Sequence, residues 1–183
     1  MSRLRDWRGW LLALSALIVV LDRITKLWVS KHVGIGDVII VIPHYFAISH
    51  VMNPGAAFSM FTDSPHPDRT RWLLTGFSLI VAAIVLIILL RIGRRLTLTA
   101  VSMALVLGGA IGNVWDRFAY GTVIDFLEVH IVRYHWPDFN LADSAIVIGG
   151  ILLLIDSLRP RKSDPNADGQ NQNDSLAAAR ENS

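Results

Sequence analysis

The sequence has no cysteine. Disulfides, cysteine nucleophiles and thiolate metal sites are therefore excluded. Charge is scarce as well: Asp, Glu, Lys and Arg make up 17% of the 183 residues, against about 25% in an ordinary soluble domain. The net charge is +2, and no basic stripe interleaved with aromatics is present, so nucleic acid is not an expected partner. The zinc-protease spacing HExxH and the serine-hydrolase elbow GxSxG are both missing. His32, His44, His50, His66, His130 and His135 all fall between the apolar runs, in what reads as outer loops. We expect no metal and no cofactor. No internal repeat is evident.

Apolar residues are abundant, at 52%, and they collect into four runs: about 10–28, 72–90, 96–115 and 141–158. Each is roughly 18–20 residues, enough for a helix to cross a bilayer core. Lipid tolerates only backbone whose hydrogen bonds close internally, so the runs are expected to be helices. Arg3, Arg5 and Arg8 before the first run resemble a signal-peptide start. Leu21-Asp22-Arg23 follows that run where a small-x-small cleavage site would be needed, so the segment reads as an uncleaved span. Basic residues outside the runs set the orientation. Arg3, Arg5, Arg8, Arg91, Arg94, Arg95, Arg159, Arg161 and Lys162 lie on one side and outnumber those on the other, so both termini are expected in the cytoplasm. The stretch DVIIVIPHYFAISHVMNPGAAFSMF is rich in β-branched and aromatic residues and reads as short strands. Pro43 favours an edge or bend there, and AAFSMF a short surface helix. FLEVHIV has strand character too. Residues 163–183 are Asn/Asp/Gln/Ser-rich and read as a disordered cytoplasmic tail.

The polar residues at the membrane boundary carry the functional question. Gly108 and Gly112, like Gly109 and Asn113, are four apart, a spacing that lets helices approach closely. Asn113 and Arg117 share that face. Asp125 follows the third run and Asp143 opens the fourth, so the outer excursion can return both to one depth. A helix-start Asp is commonly an N-cap, and Asn140, three residues earlier, is an alternative cap. Ionisable groups at membrane depth are functional candidates by default. Two carboxylates a few Å apart share a proton, which is the chemistry of aspartic peptide hydrolysis. Other polar residues have bland readings beside functional ones. Asp22 and Lys26 form an i,i+4 ion pair or touch substrate. Asn53 is a turn residue before Pro54-Gly55 or part of the site. Arg117 reaches headgroups or a carboxylate. Asp156 pairs with Arg159. Two rival functions are a small transporter, with the aspartates as a proton or cation relay, and a structural subunit. Carboxylates gathered on one side argue against a relay, which needs polar groups near midplane.

Five blocks in order carry a resemblance: Asp22-Arg23-Ile24-Thr25-Lys26, Asn53 to Phe58, Gly108 to Arg117, Gly121 to Phe126, and Trp136 to Ser144. From about Trp10 to Leu158 the chain resembles bacterial lipoprotein signal peptidase, signal peptidase II. The resemblance implies an all-α membrane protein, a four-transmembrane-helix bundle with a small extracytoplasmic β-rich cradle, as one peptidase domain over 1–162. It implies an inner-membrane aspartic endopeptidase that cleaves prolipoproteins before a diacylglyceryl-modified cysteine, with Asp125 and Asp143 catalytic. It implies supporting or substrate-binding roles for Asp22, Lys26, Asn53, Gly55, Asn113, Arg117 and Asn140. Membrane lipids and globomycin-type cyclic-peptide inhibitors are the other partners it implies.

Overall fold

A computed structural model describes residues 6–55, 66–131 and 134–159. The expected short helix in AAFSMF and the polar tail lie outside these residues. Along the chain come α1 (Arg8–His32), β1 (Val38–Ile42), β2 (Phe46–Asn53), α2 (Pro67–Ile92), α3 (Leu98–Tyr120), β3 (Val123–Ile131), β4 (Tyr134–Phe139) and α4 (Leu141–Ser157). The four strands form one antiparallel sheet in the order β1-β2-β3-β4, with α2 and α3 inserted between its middle strands.

α1 and α2 outrun at both ends the apolar segments that announce them, and α3 does so at its C-terminal end, while α4 matches its segment. α3 starts at an N-cap, Thr97, whose side chain accepts from Ala100 N at 3.1 Å. It continues past Trp115 until Gly121 takes a left-handed conformation, φ 81°, a backbone region open to glycine at little cost. Asp116 and Arg117 are therefore inside the helix and buried, not a cap at its end. Arg71 of α2 satisfies the last turn, donating from Nε to Arg117 O at 3.0 Å and from Nη2 to Phe118 O at 3.2 Å. Pro43 lies in the turn between β1 and β2, and β1 is an edge strand as expected. β4 was not legible, because Pro137 argues against a strand. Between the pairs Val129↔Trp136 and Leu127↔Phe139 the register shifts, leaving Pro137 and Asp138 opposite Glu128. Such a bulge on an edge strand is where proline is tolerated.

One core packs Leu11 of α1 against Ala82, Val85 and Leu89 of α2 and Ala100, Ala104, Leu107 and Ala110 of α3. A second, of Val29, Val33 and Phe126, seats the sheet on the end of α1. Outward helix faces are apolar, with Leu73, Phe77, Ile80, Ile84, Ile151 and Leu154 all exposed. Polar groups are turned inward: Ser15 Oγ donates across the bundle to Ala104 O at 2.8 Å. This inverts the pattern of a soluble protein and suits a lipid surround. α2 from Asp68 and α3 are long and apolar enough to cross a membrane. α1 carries Asp22, Arg23 and Lys26 within its run, and α4 has 17 residues.

Glycines let α3 and α4 touch. A Cβ on Gly109 would stand 2.3 Å from Ala142 O, and one on Gly112 would stand 2.8 Å from Asp22 Oδ2. Gly109→Ala must therefore push back the start of α4, which carries Asp143. A misplacement of about 1 Å at a reacting group costs roughly 10²-fold in rate, and we expect a loss of that order in any activity that depends on Asp143. Gly150→Ala, with nothing within 4 Å of its Cβ position, is expected to leave turnover unchanged.

Candidate active site

Asp125 stands on β3, register-paired with Val51 of β2, and is 2% exposed. Asp143 is in the first turn of α4. Its expected alternative role as N-cap goes to Asn140. Asn140 Oδ1 accepts from Asp143 N at 2.9 Å, and Asp143 Oδ2 accepts from Asn140 N at 3.3 Å. This reciprocal capping box fixes the helix start and the carboxylate together. Asn140 also reaches the other aspartate, since its Nδ2 donates to Asp125 Oδ1 at 2.7 Å. One asparagine thus holds both carboxyl groups.

The remaining oxygens are held by two further asparagines. Asn53 Nδ2 donates to Asp125 Oδ2 at 2.9 Å, while Asn53 Oδ1 accepts from Gly55 N at 2.9 Å. Asn113 Nδ2 donates to Asp143 Oδ1 at 2.7 Å. The orientation of the Asn113 amide has a cause. Lys26 Nζ donates to Asn113 Oδ1 at 3.3 Å, and an ammonium has no acceptor to offer, so the NH2 must face Asp143. Lys26 is itself fully buried between two carboxylates, Asp22 Oδ2 and Asp116 Oδ2, each at 2.8 Å. Arg23 meets the other oxygen of Asp116 at 3.2 Å. A further polar link is made by Asp22 Oδ1, which accepts from Ala142 N at 3.0 Å and so caps α4 from α1.

Burial, then the like charge of Asp143, pushes the Asp125 carboxyl up to about 7, against the hydrogen bonds of Asn53 and Asn140 and the charge of Lys26. Both aspartates and Asn53 line a cleft of about 500 Å³ between β4 and α4. Its walls are apolar: Trp136, Pro137, Phe139, Ile146, Val147 and Ile148. That size and character suit an organic ligand with a few fixed polar contacts.

Residues 14–159 match the protein family described as signal peptidase (SPase) II. The chain belongs to the signal peptidase II family. The lipoprotein signal peptidase of Pseudomonas putida is 43% identical over 152 residues, covering 82% of this chain and 88% of that one. That of Solibacter usitatus is 43% identical over 162 residues, covering 87% and 96%. A bacterial membrane enzyme solved by the in meso method at 2.3 Å superposes with a TM-score of 0.70 at 29% identity, covering 90% of this chain and 99% of that one.

In this signal peptidase II chain, the nine residues singled out from sequence fall into three linked groups. Asp125, Asp143, Asn53, Asn113 and Asn140 are joined by one continuous set of hydrogen bonds. Asp22 and Lys26 form the layer behind them. Their expected ion pair is present, but it is one part of a larger network. Gly55 and Arg117 meet each other, with Arg117 Nη2 donating to Gly55 O at 3.1 Å. Arg117 is buried, and this contact ties the Asn53–Gly55 turn to α3. Sequence reasoning did not select Asp116 or Arg23 as site residues, although both stand in the blocks that carried the resemblance. Their partners lie on other helices, so no i,i+4 spacing exposes them. Of the six histidines, His44 lies in the turn between β1 and β2 and His66 just before α2, as expected of loop residues, whereas His50, His130 and His135 stand on β2, β3 and β4 and His32 ends α1.

Proposed function

We infer that this chain is a membrane aspartic endopeptidase that removes signal peptides from prolipoproteins, with Asp125 and Asp143 as its catalytic pair. The observation that carries the assignment is one asparagine, Asn140, gripping both carboxyl groups on the wall of an apolar cleft. Asp125, whose carboxyl stays protonated to about 7, supplies the proton. Asp143, with N–H donors on both oxygens, is the base. Asp143 takes a proton from a water molecule, whose oxygen attacks the scissile carbonyl carbon. Asp125 gives its proton to the carbonyl oxygen. Proton transfer from Asp143 to the departing nitrogen, and from the new diol back to Asp125, breaks the C–N bond and restores both groups.

The substrate side follows from the cleft. Val147 and Ile148 of α4 are exposed on the outer surface and also line the cleft, so an apolar signal peptide bearing a diacylglyceryl cysteine reaches the aspartates sideways through lipid. Globomycin-type cyclic peptides occupy the same cleft and inhibit. Four spans place both termini in the cytoplasm. The end of α1 packs on the sheet through Val29 and Val33, the end of α3 leads into β3, and β4 leads into the start of α4. Arg91, Arg94, Arg95 and Arg159 lie at the opposite end, which the positive-inside bias assigns to the cytoplasm. The aspartates then face outward, where water is available. Residues 1–162 act as one peptidase domain, and 163–183 remain a polar cytoplasmic tail.

Purified full-length protein with a lipidated precursor is expected to give a cleaved product by gel shift, with the unlipidated precursor untouched. Cleavage of neither, together with ion flux in reconstituted vesicles, would instead support the relay. The rate is expected to fall as pH rises through about 7, because Asp125 then loses the shared proton. Stability has the same sign. An unfolded chain releases this proton near 3.8 and the folded one near 7. The stabilisation from Asp125 is therefore full below the lower value and lost as pH rises through the upper. Thermal unfolding across that window checks it.

A further inference from the structure

On the face of the sheet, away from the aspartates, three metal-binding side chains converge. Glu128 and His130 are two apart on β3 and so point to the same side. His135 of β4 is the register partner of His130, which sets their side chains next to one another. His130 Nε2 lies 2.7 Å from Glu128 Oε1, and His135 Nε2 lies 3.5 Å from that same oxygen. The two rings stack with centroids 4.9 Å apart and planes at 25°. One ligand atom from each residue falls within 4.8 Å of the others.

We propose that Glu128, His130 and His135 bind a divalent transition-metal ion of the zinc class. Two imidazole nitrogens and one carboxylate oxygen are a donor set of the kind zinc accepts. Zinc bonds of about 2.0–2.2 Å require ligand atoms roughly 3.2–3.6 Å apart in a tetrahedron. The observed spacings reach that by small side-chain rotations, with no backbone change. Glu128 is 15% exposed in its side chain, His130 38% and His135 50%, so an ion arrives from solvent and water completes the coordination.

The site bridges β3 to β4 across their bulge. β3 carries Asp125 at its other end, and β4 runs through Trp136 and Phe139 of the cleft wall into Asn140. A bound ion therefore staples the hairpin that forms one side of the cleft. Metal binding is not needed for folding of the hairpin, which already has its ladder and a seat on Val29 and Val33 through Phe126.

The test is a Zn²⁺ titration of the full chain in detergent micelles, purified through a tag without histidines, by calorimetry. One saturable ion per chain is expected. His130→Gln or His135→Gln should weaken it by more than the roughly 10–100-fold typical of removing an outer partner of a metal ligand. Glu128→Gln should weaken it less. His32→Gln, whose Nδ1 is engaged by Trp28 O at 2.8 Å, should leave it unchanged. Co²⁺ in place of Zn²⁺ should give a tetrahedral visible spectrum that His135→Gln abolishes. Cleavage of a lipidated precursor without added metal should be the same in wild type and His135→Gln, which shows that the variant is folded. Absence of saturable binding, or binding that survives both histidine substitutions, overturns the proposal.

Discussion

Asp125→Asn and Asp143→Asn are each expected to lower cleavage of a lipidated precursor by on the order of 10⁴-fold or more, with insertion and folding retained. An asparagine preserves the shape and can still accept one of the two hydrogen bonds that each carboxyl group receives. It can neither release a proton to the carbonyl oxygen nor take one from water, and groups that act as a unit lose nearly everything when one is removed. The double variant should be no worse than either single one by more than a small factor. Single-turnover assays with matched thermal unfolding check this. Substantial turnover by either variant contradicts the roles assigned here, whereas a structural role for the aspartates requires the melting temperature to fall instead.

Lys26→Met is expected to be the most damaging change outside the pair. It leaves Asp22 without a counter-ion and Asp116 with Arg23 alone, and removal of one member of a buried ion pair costs about 3–5 kcal/mol. It also loosens the Asn113 amide, since Lys26 Nζ is one of two donors, with Asn140 Nδ2, that hold Asn113 Oδ1 away from Asp143. Cleavage and thermal midpoint should therefore fall together. Lys26→Met combined with Asp22→Asn should recover part of the stability, because the charge left unpaired is removed with its partner. Lys31→Met, at the exposed end of α1, is the control. A Lys26→Met protein as stable as wild type would mean that the buried charges are not coupled.

The two carboxylates were legible because of where they stand. Asp125 and Asp143 flank apolar runs, and a charge at that place calls for an explanation. Asn113 and Gly109 were legible through spacing four on one helix. The layer behind was only half legible. Spacing reveals Asp22 with Lys26, both on α1, but the partner on Asp116 comes from α3, and Asn113 is read through a contact between helices. β4 was hidden by Pro137, since a bulge that tolerates proline leaves no pattern of alternation. The length of α3 was hidden because an apolar run marks a span, while the helix continues until Gly121 stops it. The role of Asn140 was open in sequence, where a cap and a site residue look alike. In the fold it is both, since the side chain that caps α4 also donates to Asp125.

The shared proton is the centre of the account, and it can be seen without turnover. Carboxyl-labelled aspartate followed by isotope-edited infrared spectroscopy, wild type minus Asp125→Asn, should show one protonated carboxyl band below neutrality. That band should disappear with an apparent pKa near 7. In Asp143→Asn it should disappear at lower pH, because a like charge that raises it is gone. A band absent at all pH values above the ordinary carboxylate range, or one indifferent to Asp143→Asn, would contradict the pairing of these two residues.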